Sequence, residues 1–297
     1  MKKNKTMIFL FILPTVLCLL FMYVYPIVRT VIMSFFKVES LTASTSTWSF
    51  YGLQNYFKIL RNAGFISSMK NMVMIWLVGG IITMCLSMLM AVILTSGIRG
   101  AKFFKAAIYM PNIISAVALA TMWIQYVFNY DYGLLNQIVK AFGGENVRWL
   151  GTDLIFWAMM IAFIFGSVGY YMLIFISGIE GIPQDLYEAA TIDGANMFQI
   201  FLYIMLPMCK NVLLFIGIST VIGRWSDFQG PLIYLTTLEK MTIAVAFYKQ
   251  FSSSGAAAIF SNAKMAMAVC MTFLPMALYL IFQKQFIEGI ATSGGKL

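Results

Sequence analysis

Long apolar runs separated by short polar connectors dominate this chain. Runs at 71–98, 106–130, 154–179 and 265–283 hold no Asp, Glu, Lys or Arg, and each is close to or above the roughly 20 apolar residues that an α-helix needs to cross a bilayer. Two more runs are as long but less pure: 7–36 contains Pro14, Pro26 and Arg29, and 212–235 contains Arg224 and Asp227. With the last run extended to 286, the pattern predicts an all-α, polytopic membrane protein with about six transmembrane helices, one transmembrane domain over 1–297 and a tail at 287–297. Lys2, Lys3 and Lys5 ahead of the first run resemble the start of a secretory signal. The run is too long and lacks a small-residue cleavage site, so it is expected to stay as an anchor.

One connector, 181–207, differs from the others. Pro183 suits the first position of a helix, where its missing N–H has no partner to lose, and 184–193 holds few breakers. Gly194 supplies the freedom for a sharp turn, and Asn196 can cap a second short helix through Phe198, Ile200, Phe201 and Ile204. Pro207 marks the return to an apolar span. The expected product is a helix–turn–helix elbow. The remaining connectors contain Gly, Ser, Asn and turn dipeptides such as Gly143-Gly144; a short helix is expected within 242–251, a turn at 252–255 and a flexible polar tract at 42–47.

Composition agrees with lipid as the main solvent: 61% of residues are hydrophobic and 10% charged, far from the balance of a soluble domain. The net charge of +9 comes from Lys and Arg scattered over tails and loops, which excludes a nucleic-acid surface. Lys2, Lys3 and Lys5, then Arg99, Lys102 and Lys105, mark two cytoplasmic segments. Lys37, Lys58, Arg61 and Lys70 fall in the first outer loop, so the local density of charge, not its sum, sets the orientation. Six spans then place both termini in the cytoplasm of a cell-membrane protein. Cys18, Cys85, Cys209 and Cys270 lie in or beside apolar runs without disulfide or metal spacing, and histidine is absent. No nucleophile–base arrangement or metal cluster points to an enzyme. No stretch fits Gly-x4-Gly-Lys-Ser/Thr, so an energy source of that kind would have to be a separate chain.

Within the elbow, Glu188-Ala189-Ala190-Thr191-Ile192-Asp193-Gly194 is followed, with nine residues between Gly194 and it, by Ile204 and then by Leu206-Pro207. This resembles the EAA loop of ATP-binding-cassette importer permeases. Leu13-Pro14, Tyr25-Pro26, Tyr51-Gly52-Leu53-Gln54-Asn55-Tyr56, Pro111, Gly133-Leu134-Leu135-Asn136 and Trp149-Leu150 extend the resemblance to the carbohydrate-uptake branch that contains the maltose-transporter membrane subunits, and to its first subunit type. Trp225-Ser226-Asp227-Phe228, Pro231-Leu232-Ile233-Tyr234-Leu235 and the tail look more like the second type, and Thr236-Thr237-Leu238-Glu239-Lys240 replaces the first type's Gly-Gly-Gly-Pro turn.

The resemblance implies a cytoplasmic coupling elbow that docks on two ATPase subunits, with Glu188, Ala189, Ala190, Asp193, Gly194 and Ala195 as the coupling residues. It implies a second permease subunit, either a different chain or a copy, and an extracytoplasmic solute-binding protein. ATP and Mg would be held by the ATPases, with no cofactor in this chain. By the same resemblance a sugar path would run past Asn112, Val168, Gly169, Tyr171, Trp225 and Asp227. Phe165–Tyr171 is poorer in Asn and Ser than the maltose-like pattern, so recognition could instead rest with the binding protein, leaving Gly166 and Gly169 to helix packing. Arg224 and Asp227, three apart on one helical face, read equally as a structural ion pair and as a transport pair. Gly289, Ser293, Gly294, Gly295 and Lys296 would reach into the ATPase, or form a frayed end. The rival readings are an ion-gradient-driven carrier using Arg224 and Asp227, and a membrane-embedded enzyme.

Overall fold

The computed structural model describes residues 5–38, 44–252 and 257–294. Lys2 and Lys3, residues 42–43 of the polar tract, 253–255 of the expected turn, and Gly295 and Lys296 of the tail lie outside the described residues. Two compact units are formed, Met1–Ile66 with Ala246–Leu274 and Ser67–Val245 with Pro275–Leu297. Among the described residues, four helices are long and apolar enough to cross a membrane, and two bent helix pairs raise the number to six if each is one span.

In the first unit, α1 (Phe9–Ser34) is apolar apart from Arg29 and a few hydroxyl residues and has nothing buried along its spanning window, as a helix solvated by lipid should be. A π-helical turn at Leu20–Val24 widens it ahead of Pro26, giving room to the carbonyl one turn back that the ring would otherwise strike. After α1 the chain forms β1 (Phe36–Lys37), paired antiparallel with β2 (Ser49–Phe50). The helix α2 (Gln54–Leu60) follows. Asn55, fully buried, donates from Nδ2 to Ser34 O at 2.8 Å and Phe36 O at 3.1 Å. Tyr56 Oη lies 2.7 Å from Ser34 Oγ. The Tyr51–Tyr56 sequence is therefore the clasp that ends α1, taking up carbonyls the helix leaves unpaired. Met33, Val38 and Met265 pack beneath it with Phe36 and Trp48.

The second span, α3 (Ala63–Thr95), starts eight residues before the expected position 71. Asn62 accepts from Phe65 N at 3.0 Å and caps it there, so Ser67, Ser68 and Lys70 are helical although polar. In the second unit, α3 packs along the fourth span, α7 (Ile155–Glu180). Met88, Ala91 and Leu94 meet Met172, Phe175, Ile176 and Ile179, together with Cys209, Val212 and Ile216.

Two expected spans are not single rods. The run 106–130 is split into α4 (Ala101–Ile113) and α5 (Ala116–Val127), bent by 101°. Ile114 is extended, and Ser115 restarts the helix by accepting from Ala118 N at 3.2 Å. The run 212–235 is helical only to Trp225 and resumes six residues long at Gln229–Tyr234. Asp227 lies between the two pieces and not in the middle of a helix. The short helix α6 (Leu134–Ala141) lies in the connector between α5 and α7. At the far end of the chain, helix Ala257–Gly294 continues through the segment expected as a tail from 287.

Candidate functional site

The elbow consists of α8 (Gln184–Ile192), a four-residue turn, and α9 (Met197–Met208). Pro183 stands at the cap, one residue before the first helical position expected for it. Gly194 has φ +79°, a conformation nearly reserved for glycine. Ala195 N donates to Ala190 O at 2.9 Å and Gly194 N to Thr191 O at 3.1 Å; this is the Schellman closure of a helix on a left-handed residue. The next helix opens at once with a capping box: Gln199 N donates to Asn196 Oδ1 at 2.9 Å, and Asn196 N to Gln199 Oε1 at 2.8 Å. Two caps, one closing α8 and one opening α9, hold the turn from both sides.

Glu188, Ala189, Asp193 and Gly194 are exposed, and Ala190 and Ala195 half-buried. Gln184 Nε2 holds Glu188 Oε1 at 3.0 Å. Ile192, 86% exposed, and Met197 and Phe198 lie around the same turn, so the elbow shows acidic and apolar groups together. On the inner side, the Tyr187 hydroxyl is buried with no hydrogen-bond partner among the described residues. Burial, with a smaller contribution from the Cys209 thiol, raises this phenol above the usual tyrosine range.

The elbow ends at Cys209, where α9 meets α10 (Lys210–Trp225) at 69°. The return to an apolar span, expected at Pro207, therefore comes two residues later. Pro207 stays helical because a π-helical turn, Phe201–Met205, precedes it, the same arrangement as at Pro26.

At the other end of α10 a cavity of about 360 Å³ opens among the bend of α4 and α5, the middle of α7, and α11 (Gln229–Tyr234). Of the expected path residues, Asn112, Tyr171, Arg224 and Asp227 line it together. Arg224 Nη1 pairs with Asp227 Oδ2 at 3.2 Å, while Nη2 donates to Phe163 O at 3.1 Å and to Ser167 Oγ. The guanidinium also lies over the Phe163 ring at 4.5 Å. The pair thus fastens α10 to α7, with about a fifth of each side chain still exposed to the cavity (22% and 21%). Asn112 Nδ2 reaches Gly166 O at 3.3 Å.

Val168, Gly169 and Trp225 do not line this cavity. The Val168 carbonyl accepts from Ser87 Oγ on α3 at 3.0 Å, Trp225 is buried, and Gly169 sits where α7 crosses α4. A Cβ on Gly169 would lie 2.2 Å from Ile108 O and 2.6 Å from Tyr109 Cα. Sequence reasoning missed Ser167, Phe163 and Tyr234. Ser167 alone carried a signal, as a hydroxyl in an apolar run one turn from Phe163, to whose carbonyl it donates at 2.7 Å.

Comparison with known proteins gives the same picture for the chain as a whole. Residues 83–291 match the family described as "Binding-protein-dependent transport system inner membrane component". The chain is 30% identical over 239 residues to the probable ABC transporter permease protein YurN of Bacillus subtilis (strain 168), covering 78% of this chain and 79% of that protein. It is 32% identical over 230 residues to the trehalose/maltose transport system permease protein MalF of Thermococcus litoralis, covering 77% and 76%. A chain in the crystal structure of a bacterial alginate ABC transporter, solved with an alginate pentasaccharide-bound periplasmic protein, superposes with a TM-score of 0.77 at 17% identity, covering 94% of this chain and 93% of that one.

Proposed function

Because the chain belongs to the family of binding-protein-dependent transport system inner membrane components, we propose that it forms one membrane half of an ATP-driven sugar importer and receives its driving force at the 181–207 elbow. The observation that carries this reading is the doubly capped turn at Gly194. A turn capped from both sides moves as a body, and α9 passes that movement through Cys209 to α10, which ends at the cavity. Two separate ATPase subunits, which hold the ATP and Mg, bear on the elbow's exposed face. Glu188 and Asp193 offer acceptors to their donors; Ala189, Ala190 and Ala195 permit close approach.

The elbow then faces the cytoplasm, as do both termini, and the opposite face receives solute from an extracytoplasmic binding protein. A second permease subunit completes the path through the bilayer. A sugar is the solute that fits both the cavity and the relatives named above. Its hydroxyls need donors and acceptors such as Arg224, Asp227 and Asn112, and its C–H face suits Tyr171, Phe163 and Tyr234. Alternating access follows when closure of the ATPases rotates the two halves and hydrolysis returns them. The ion-gradient alternative is weakened because Arg224 is already committed to three acceptors, including a carbonyl and a hydroxyl on α7.

Reconstitution with the cognate ATPase, partner and binding protein tests the reading. Glu188→Lys and Gly194→Val are expected to abolish ATP-dependent uptake while leaving membrane insertion intact. Unchanged uptake in both variants, or uptake that survives ATP depletion and collapses with an ion gradient, refutes it.

A further inference from the structure

The connector between α5 and α7, at the end of α7 away from the elbow, holds an apolar surface that neither the transport path nor the elbow uses. On α6 and at its C-cap, Leu134 (53% exposed), Ile138 (46%) and the capping Phe142 (88%) follow one another at four-residue intervals and form a single stripe open to the surroundings. The helix is anchored by its other side. Asn136, 1% exposed, donates to the carbonyls of Asn129, Tyr130 and Val147, and accepts from Val147 N at 3.0 Å and Trp149 Nε1 at 2.9 Å. Gln137 and Lys140 occupy the remaining edge and are exposed.

We infer that α6 is an interfacial helix that lies in the headgroup region of the bilayer, with Leu134, Ile138 and Phe142 directed into the acyl boundary. The bilayer is the occupant because the helix cannot leave it. Asn136 ties α6 to Asn129 and Tyr130, within three residues of the end of α5 at Val127, and to Val147 and Trp149, shortly before the span α7 begins at Ile155, so the stripe stays beside the end of a membrane-spanning segment. Its apolar surface is also continuous in kind with that end. Tyr126 and Tyr130 are exposed there, as aromatic residues are where hydrocarbon meets water; Arg148 lies over the Tyr130 ring at 5.6 Å. A short helix with an apolar arc, a Lys on its polar arc and a fixed position at a span's end has the features of an in-plane membrane helix. Its effect is to reference α5 and α7, two walls of the cavity, to the plane of the bilayer.

The test is site-directed spin labelling of the full chain in phosphatidylcholine nanodiscs, with nitroxides at Ile138 and Phe142. Gln137 serves as the aqueous control and Ile161, exposed on α7, as the lipid control. The labels at Ile138 and Phe142 are expected to show an oxygen-to-nickel-chelate accessibility ratio several-fold above that at Gln137, approaching that at Ile161. A ratio equal to that at Gln137 places the stripe in water and overturns the inference. Immobilised labels shielded from both colliders mean a protein partner covers it, which overturns it as well. Phe142→Trp supplies a second reading without cysteine changes: the added fluorescence is expected to be quenched by lipids brominated near the headgroup, and its insensitivity to them would count against a bilayer position.

Discussion

Replacing Gly169 by alanine puts a methyl carbon 2.2 Å from the carbonyl oxygen of Ile108 and 2.6 Å from Tyr109 Cα. Both are backbone atoms in the middle of α4, so no side-chain rotation relieves the overlap. An ordinary contact begins near 3.4 Å, and reaching it requires α4 and α7 to separate by about 1 Å at their crossing, against a close-packed interface. Overpacking of this kind costs roughly 1–3 kcal/mol when side chains can yield, and a backbone-to-backbone clash belongs at or above the upper end. Gly217 on α10 is the matched control, since its added Cβ would meet only Met84 Sδ at 4.0 Å. Thermal unfolding of purified chain in one detergent, followed by size-exclusion fluorescence, is expected to show Gly169→Ala several degrees below wild type and Gly217→Ala level with it. Gly169→Val should fall further. If Gly169→Ala is as stable as wild type and loses only transport, the crossing is not what the glycine serves, and the residue returns to the solute path.

Four other substitutions check other parts of the structure. Asn136→Ala leaves the partly buried donors Val147 N and Trp149 Nε1 without their acceptor, which at the lower end of about 1–3 kcal/mol for each predicts a loss of roughly 2–3 kcal/mol, seen as a lowered unfolding temperature and faster proteolysis within 129–149. Arg224→Met removes the ion pair and both bonds to α7 and should cost about 3 kcal/mol, less than the full penalty of a sealed pair. Asp227→Asn keeps an acceptor and the α7 bonds, so its loss should be clearly smaller in the same assay. Tyr187→Phe deletes a buried hydroxyl that has no hydrogen-bond partner among the described residues and should be within about 1 kcal/mol of wild type or more stable. The raised pKa means the folded form holds its phenol proton more tightly than the unfolded chain. Wild type should therefore lose stability as pH rises past about 10, and Tyr187→Phe should lose less over that range.

What could be read from sequence and what could not divides along a physical line. The elbow was legible because its chemistry is local: a glycine at the left-handed position and an Asn three residues before a Gln specify their caps without reference to the rest of the chain. The signature residues Asn55 and Asn136 were visible as motif letters, but their work as staples depends on carbonyls up to 21 positions away. The breaks in the third and fifth spans were hidden for a different reason. In lipid every face of a helix is apolar, so the periodicity that reports direction in a soluble protein is lost, and an apolar run reports length alone. Spacing put Arg224 and Asp227 on one helix, and they do pair, but the chain has left the helix at Trp225 before Asp227 is reached.

Those two breaks obey one rule. Non-helical backbone at membrane depth leaves N–H and C=O groups that lipid cannot satisfy, so it persists only where it lines a polar cavity or is buried in protein. The break after Ile113 and the break after Trp225 border the same 360 Å³ cavity, which Asn112, Ala116, Arg224 and Asp227 all line. Local groups beside each break take up part of what the helices leave open: Ser115 Oγ accepts from Ala118 N at the start of α5, and Asp227 N donates to Arg224 O at 3.3 Å after the second break. A cavity and two irregular segments that need it are therefore one feature rather than three. It follows that the polar residues interrupting the apolar runs, Asn112 and Ser115 in one and Arg224 and Asp227 in the other, mark where the helices had to open, even though their spacing alone suggested that the helices continued.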